Sequence, residues 1–100
     1  MFPADDLVDL VRAYNPKTND NLIRQAYEYG REMHDGQFRH SGEPYFEHPI
    51  DVARILTEQH LDDATIITAL LHDTIEDTGA SFSEVSTRFG EEVAMLVDGV

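Results

Sequence analysis

The chain has no cysteine, which excludes disulfide bonds and thiolate metal sites. For the same reason, cysteine usage does not indicate the redox compartment of the protein. Long apolar runs are also missing: the longest, 93–97, has five residues, and the run 69–71, with Ile66 and Ile67 just before it, is also short. A membrane span needs roughly 20 apolar residues, and the N-terminus lacks the basic, apolar and small-residue order of a signal peptide. We therefore expect no membrane association and a cytoplasmic location.

Basic residues are scarce. Lys and Arg total 7 against 20 Asp and Glu, which gives a formal net charge of -13. Nucleic acids and anionic membranes bind basic patches, so this balance argues against both as partners. If the substrate is itself polyanionic, a bound metal and nearby arginines must overcome the repulsive field of the chain. The candidate arginines are Arg24, Arg31, Arg39 and Arg54.

What the sequence does contain is helical periodicity, without strand-like alternation, repeats or low-complexity segments. Its 100 residues, 41% of them hydrophobic, suffice for one small domain, and we predict an all-α helical bundle. The polar stretch 36–45 is predicted to be a loop of the kind that often carries binding groups. Asp62 is the predicted cap of the fourth helix, and Ser81 with Glu84 a predicted capping box for the fifth. The six predicted helices cover 5–14, 18–35, 47–60, 63–76, 81–90 and 91 onward.

The fourth predicted helix is apolar around most of its circumference, which indicates the central buried element. Its end carries His72, Asp73, Glu76 and Asp77 where core side chains would continue the pattern. On one continuous helix, Asp73 and Asp77 stack one turn apart, and His72 and Glu76 occupy the adjacent rows. Buried carboxylates neutralise or find a cation, so we infer that His72, Asp73 and the distant His48 converge on one divalent ion. The sequence thus predicts a metal-dependent hydrolase site.

Three segments carry a family resemblance that is more specific than the adjacent His-Asp pair alone. They are Gln37-x-Arg39-x-Ser41-Gly42-Glu43-Pro44-Tyr45-x-x-His48-Pro49, His72-Asp73-x-x-Glu76-Asp77-Thr78 and Val97-Asp98-Gly99-Val100. Over residues 21–100 the chain resembles the hydrolase domain of the Rel/Spo family of bifunctional guanosine tetraphosphate and pentaphosphate synthetase/hydrolases. That domain belongs to the HD superfamily of metal-dependent phosphohydrolases.

The resemblance implies a manganese ion bound by His48, His72 and Asp73, with Glu76 and Asp77 beside it to position or deprotonate the attacking water. It implies that Arg39, His40 and Ser41 hold the guanine nucleotide. The implied reaction removes the 3′-pyrophosphate of ppGpp or pppGpp, giving GDP or GTP and pyrophosphate in the stringent response. Synthetase and regulatory domains are implied downstream. Imidazole and carboxylate ligands suit Mn²⁺ without excluding Zn²⁺, Fe²⁺ or Mg²⁺.

One departure from the family concerns the last metal ligand. The family completes its site with an aspartate from a later helix, whereas Asp98 matches the Val-Asp-Gly-Val segment and not that ligand. We therefore expect residues 1–100 to be the N-terminal part of an HD domain, truncated on its C-terminal side. Such a piece is expected to bind metal weakly and to hydrolyse slowly or not at all.

Several of these residues also have a structural interpretation. His48 before a proline suits a helix start, Glu76 and Asp77 suit a solvated helix end, and Arg39 suits an ordinary surface. The complete signature favours a functional role for these residues. Acidic side chains at a helix C-terminus oppose the helix dipole, and this unfavourable placement also favours a functional role for Glu76 and Asp77. His40 stays open between the two interpretations. The residues given a structural role only are His34 and His60 near helix ends, and Tyr27, Tyr29, Tyr45 and Phe46 as core or pocket wall.

Three function classes follow from the sequence. The first is hydrolysis of the guanine alarmone. The second is another nucleotide phosphohydrolase of the same superfamily, which would not need the loop from Arg39 to Ser41. The third is a non-catalytic regulatory or interaction module, which loss of His72 or Asp73 would have indicated; both residues are present.

Overall fold

The computed structural model describes residues 1–99, which form seven helices and contain no strand. The helices are α1 Ala4–Arg12, α2 Asp20–Met33, α3 Glu47–Glu58, α4 Asp63–Leu71, α5 Thr74–Asp77, α6 Phe82–Phe89 and α7 Glu91–Asp98. A single antiparallel bridge between Phe38 and Pro44 closes the loop between α2 and α3. The predicted all-α class is confirmed.

Helix α4 is the central element of the bundle. It packs against α2, α3 and α7, and its apolar side chains Ile66, Ile67, Leu70 and Leu71 are at most 1% exposed. An apolar surface on nearly every side of a helix is stable only when other elements cover it, and here three helices do so. The central position predicted from its sequence is therefore confirmed.

The predicted continuation of this helix to residue 76 is wrong. Helix α4 ends at Leu71, with His72 as its C-cap and Asp73 as the N-cap of the separate helix α5. The Thr74 hydroxyl donates to the Leu71 carbonyl oxygen at 2.7 Å, and such side-chain bonds to nearby backbone compete with regular helix. Asp73 and Asp77 consequently do not share one face of a continuous helix, and the six predicted helices become seven.

The caps were predicted with more success. Asp62 accepts from the Thr65 amide at 3.0 Å, and Ser81 Oγ accepts from the Glu84 amide at 3.1 Å. The return half of the capping box does not form, because the Glu84 carboxylate accepts the hydroxyl of Tyr29 instead. Burial and this hydrogen bond both raise the pKa of Tyr29, so the phenol stays a donor that ties α2 to α6.

Within residues 1–99, no helix is both long enough and apolar enough to cross a bilayer.

Candidate metal centre and adjoining cleft

The three predicted ligands meet in space. One donor atom from each of His48, His72 and Asp73 lies within 4.8 Å of the other two, and all three side chains are half-buried. His48 comes from the first turn of α3, while His72 and Asp73 occupy the junction between α4 and α5. The break after Leu71 thus turns two sequence neighbours toward the same histidine. We call this group the His-His-Asp cluster.

The hydrogen bonding of His72 identifies which of its nitrogens faces the cluster. Nδ1 lies 2.6 Å from the Ala69 carbonyl oxygen, which only accepts, so Nδ1 carries the proton. Nε2 faces the cluster and lies 3.2 Å from Asp73 Oδ2. In a neutral ring this nitrogen offers a lone pair, and a backbone-anchored imidazole is a common metal ligand. The donor set therefore fits a divalent ion.

Asp73 is held by a residue from the loop between α2 and α3. The Tyr45 hydroxyl donates to Asp73 Oδ2 at 2.6 Å. That hydrogen bond, with burial as the next cause, raises the pKa of Tyr45 to about 12, so the phenol keeps its proton at neutral pH. The carboxylate is consequently fixed in rotation by a neutral donor.

The two predicted catalytic carboxylates are placed differently. Both are exposed, but only Glu76 lines a cavity of about 230 Å³ together with His72 and Asp98. Asp77 does not line this cavity, and its backbone oxygen accepts from Gln37 Nε2 at 2.9 Å. The geometry therefore separates Glu76, which shares a cavity with a candidate ligand, from Asp77, which anchors the loop through its main chain.

The three predicted substrate-binding residues lie side by side on one cleft. Arg39, His40 and Ser41 are exposed and line a space of about 540 Å³ with Phe38 and Tyr45. This volume lies in the range of small-molecule sites. Tyr45 connects the cleft to the cluster, because its ring forms part of the cleft wall and its hydroxyl holds Asp73.

The loop that carries the cleft is organised by its own backbone. The Arg39 amide donates to the Glu43 oxygen at 2.9 Å, and the Gly42 amide donates to the Arg39 oxygen at 2.8 Å. Gly42 has φ 89, a value that favours glycine. These bonds close a tight turn that presents Arg39, His40 and Ser41 together.

Replacing Tyr45 by phenylalanine is expected to weaken divalent-ion binding while leaving the bundle folded. The change removes only the hydroxyl, so the ring still forms the cleft wall but the Asp73 carboxylate can rotate. Loss of such an outer hydrogen bond lowers metal affinity by about ten- to a hundred-fold. Isothermal titration with Mn²⁺ measures the change, and Tyr27→Phe, whose hydroxyl binds the Phe2 carbonyl oxygen away from the cluster, is the control. Equal affinities in the two variants would contradict a role for the Tyr45 hydroxyl.

Two contributors to this site were not assigned by sequence reasoning. Tyr45 was predicted to be core or pocket wall, and Gln37 was part of the signature without a role. Tyr45 is indeed a wall of the cleft, but it also orients Asp73. The only sequence signal was their presence in the same short segment as Arg39 and His48.

Comparison with known proteins finds a matching family model and similar proteins of known name. Residues 26–100 match the family model described as HD domain, a metal-dependent hydrolase fold. Over all 100 residues the chain is 52% identical to the GTP pyrophosphokinase rsh of Brucella ovis and 47% identical to the bifunctional (p)ppGpp synthase/hydrolase SpoT of Escherichia coli K12. It is also 47% identical to the guanosine-3′,5′-bis(diphosphate) 3′-pyrophosphohydrolase of Escherichia coli O157:H7.

The chain covers 13% of the length of the Brucella relative and 14% of each Escherichia coli relative. Metal binding is a property of HD domains, and His48, His72 and Asp73 form a group that could hold a divalent ion. The family match spans the site and most of the bundle. The chain belongs to the HD-domain family.

Proposed function

We propose that this chain is the metal-binding part of an alarmone hydrolase of the stringent response, which removes the 3′-pyrophosphate of guanosine tetraphosphate or pentaphosphate. The observation that carries the proposal is the His-His-Asp cluster joined through Tyr45 to the cleft lined by Arg39, His40 and Ser41. The names of the two Escherichia coli relatives support this choice of substrate. Water adds to the phosphorus on O3′, the O3′–P bond breaks, and GDP or GTP leaves with pyrophosphate.

In this proposal His48, His72 and Asp73 hold the divalent ion. Mn²⁺ is our choice, since two imidazoles and one carboxylate suit it, although Zn²⁺, Fe²⁺ and Mg²⁺ accept the same ligands. When bound, such an ion lowers the pKa of a bound water and neutralises charge on phosphoryl oxygens. The Ala69 carbonyl keeps the His72 ring oriented, and the Tyr45 hydroxyl does the same for Asp73.

Glu76 is the carboxylate that we propose as proton acceptor for the attacking water. Its place in the cavity beside His72 supports this role, and a positioned carboxylate can accept a proton from a reacting water. Asp77 contributes charge nearby and a carbonyl that anchors the loop. Glu76 and Asp77 were predicted jointly from the sequence, and the cavity is the reason for preferring Glu76.

Arg39, His40 and Ser41 are proposed to bind the nucleotide. A planar guanidinium can stack on a base or pair with phosphate, and a local cation offsets the repulsion between a polyanion and a chain of net charge -13. Ser41 and His40 add hydrogen-bonding groups to the same cleft. The exposed ring of Phe38 adds an apolar face on which a base can stack.

We further propose that residues 1–100 form the N-terminal part of the HD domain and that a further carboxylate ligand comes from beyond them. Within residues 1–99 the cluster offers three protein ligands. The relatives are several times longer, and the name of one includes a synthase activity, which supports a downstream synthetase domain. A cytoplasmic location, where guanine nucleotides are found, belongs to the same proposal.

The test is pyrophosphate release from guanosine tetraphosphate in Mn²⁺, for the 100-residue chain and for a version extended C-terminally by about one hundred residues, a typical domain length. We expect release by the extended version, little by the chain alone, and none from GTP, which lacks a 3′-pyrophosphate. Equal attack on GTP would favour another HD-type nucleotide phosphohydrolase. An extended version that binds Mn²⁺ but is inert would favour a regulatory module.

A further inference from the structure

Gln37 uses every hydrogen-bonding group it has to join three parts of the site. Its side-chain Nε2 donates to the Asp77 carbonyl oxygen at 2.9 Å, and its Oε1 lies 2.9 Å from His34 Nδ1. Its amide donates to the His34 oxygen at 3.0 Å, and its carbonyl accepts from the Tyr45 amide at 2.9 Å. One residue thus connects the end of α2, the loop that leads into α3 and the short helix α5.

His34 is built into the core to support that glutamine. It caps α2, is only 2% exposed, and its ring lies 4.9 Å from the Tyr45 ring and 6.2 Å from the Phe46 ring. Because Gln37 Nε2 must donate to Asp77, Oε1 faces His34, and His34 Nδ1 carries the proton between them. Nε2 has no hydrogen-bond partner within residues 1–99. Burying a histidine with one ring nitrogen unpaired costs free energy, and packing contacts alone do not explain why a histidine is present here.

Helix α5 needs an external anchor. It has four residues, carries Glu76 and Asp77 on an exposed surface, and its last carbonyl groups lack a following turn to bond. The bond from Gln37 satisfies one of them, and it also fixes the distance between α5 and the loop that carries Arg39. Isolated helices of this length are unstable, so contacts from outside determine where its side chains lie.

We propose that Gln37, braced by the buried His34, is a positioning residue that holds α5 and its carboxylates in register with the cleft and the His-His-Asp cluster. The proposal deepens the function proposed above and rests on it for the catalytic consequence. Its structural part, the anchoring of α5, stands on the hydrogen bonds alone. Neither Gln37 nor His34 touches substrate or ion in this proposal.

The test compares Gln37→Met, which keeps the length of the side chain and removes both hydrogen bonds, with Gln25→Met as the matched control. Gln25 is an exposed residue of α2 whose side chain makes no hydrogen bond within the described residues. Amide hydrogen exchange in the chain is expected to accelerate about five-fold at residues 74–78 in Gln37→Met and not in Gln25→Met, the effect of losing one net hydrogen bond. Exchange in α1 is expected to stay unchanged.

Activity in the extended protein supplies the second readout. We expect kcat to fall about ten- to a hundred-fold in Gln37→Met, since misplacing a reacting group has that effect, while the Mn²⁺ affinity stays unchanged. His34→Asn keeps a donor near the position of Nδ1 and is expected to retain more activity than His34→Leu.

Unchanged exchange at 74–78 in Gln37→Met would overturn the proposal whatever the activity, and so would an equal acceleration across all helices. If the unsubstituted extended protein does not hydrolyse the alarmone, the proposed function fails, and the exchange experiment still decides whether Gln37 anchors α5.

Discussion

Replacing His72 by asparagine is expected to abolish divalent-ion binding at the His-His-Asp cluster without unfolding the bundle. The asparagine Nδ2 takes a position close to that of histidine Nδ1, so it can still donate to the Ala69 oxygen that now lies 2.6 Å away. What disappears is Nε2, the atom that faces Asp73 Oδ2 at 3.2 Å. The substitution therefore removes the ligand and keeps the anchor.

The expected loss of Mn²⁺ affinity is more than about a hundred-fold, because even outer-shell changes reach that value and His72 is a proposed ligand. Titration calorimetry on the extended protein measures the affinity, and pyrophosphate release by the same protein should fall below detection. Thermal unfolding without metal should be almost unaffected, since the hydrogen bond to the Ala69 oxygen is kept.

His60→Asn is the matched control for this experiment. His60 lies outside the cluster, stacks on Tyr14 at 4.7 Å and has φ 55, a conformation that asparagine tolerates. Its Mn²⁺ affinity should equal that of the unsubstituted chain. If His60→Asn and His72→Asn bind Mn²⁺ equally well, the ion does not bind where we propose, and the assignment of His72 is wrong.

The part of the fold that the sequence could predict is the part governed by periodicity and local chemistry. The apolar surface of α4 indicated a central helix, and Asp62 and Ser81 identified the starts of α4 and α6. The end of α4 could not be predicted in the same way, because residues 72–77 continue the helical pattern. At the break the Thr74 hydroxyl bonds the Leu71 carbonyl, a side-chain contact that periodicity does not register.

The candidate site divides along the same line. The sequence predicted one metal site from His48, His72 and Asp73, because histidine and aspartate are common metal ligands. The structure brings the donor atoms of these residues together. The hydrogen bonds of Tyr45 and Gln37 were not predicted, because tyrosine and glutamine are not typical of metal or catalytic sites. Their partners are 28 and 40 residues away in sequence, Asp73 for the tyrosine and the Asp77 backbone for the glutamine. Such long-range bonds depend on how the helices pack, which one sequence does not reveal.

Replacing Gly30 by alanine is expected to destabilise the bundle and to disturb the metal site at the same time. A Cβ at this position in α2 would lie 2.9 Å from Phe46 Cζ, nearer still to Cε1, and 3.1 Å from the Leu70 carbonyl oxygen. The Phe46 ring cannot simply swing away, because it is 2% exposed and packs edge-on against Tyr27 at 5.4 Å. The carbonyl belongs to α4 and is equally fixed.

The sign of the effect follows from two opposing contributions. Alanine favours a helix over glycine by about 1 kcal/mol, whereas overpacking a tight core costs about 1–3 kcal/mol. Since three atoms crowd the new methyl group, we expect the upper part of that range and a net loss of about 1–2 kcal/mol. For a domain of this size the melting temperature should fall by about 4–16 °C. Thermal and urea unfolding followed by circular dichroism measure both values.

The site should respond because Phe46 leads into α3, where His48 lies in the first turn. A displaced ring moves His48 relative to His72 and Asp73, so Mn²⁺ affinity should fall together with stability. Gly79→Ala is the control, since nothing lies within 4 Å of a Cβ there. Adding Phe46→Leu to Gly30→Ala should recover part of the stability, because the smaller side chain frees the space that the methyl group needs. Equal stability of the Gly30→Ala and Gly79→Ala proteins would contradict this prediction. It would mean that α2 and α4 can separate without a cost in free energy, and that the position of His48 does not depend on Gly30.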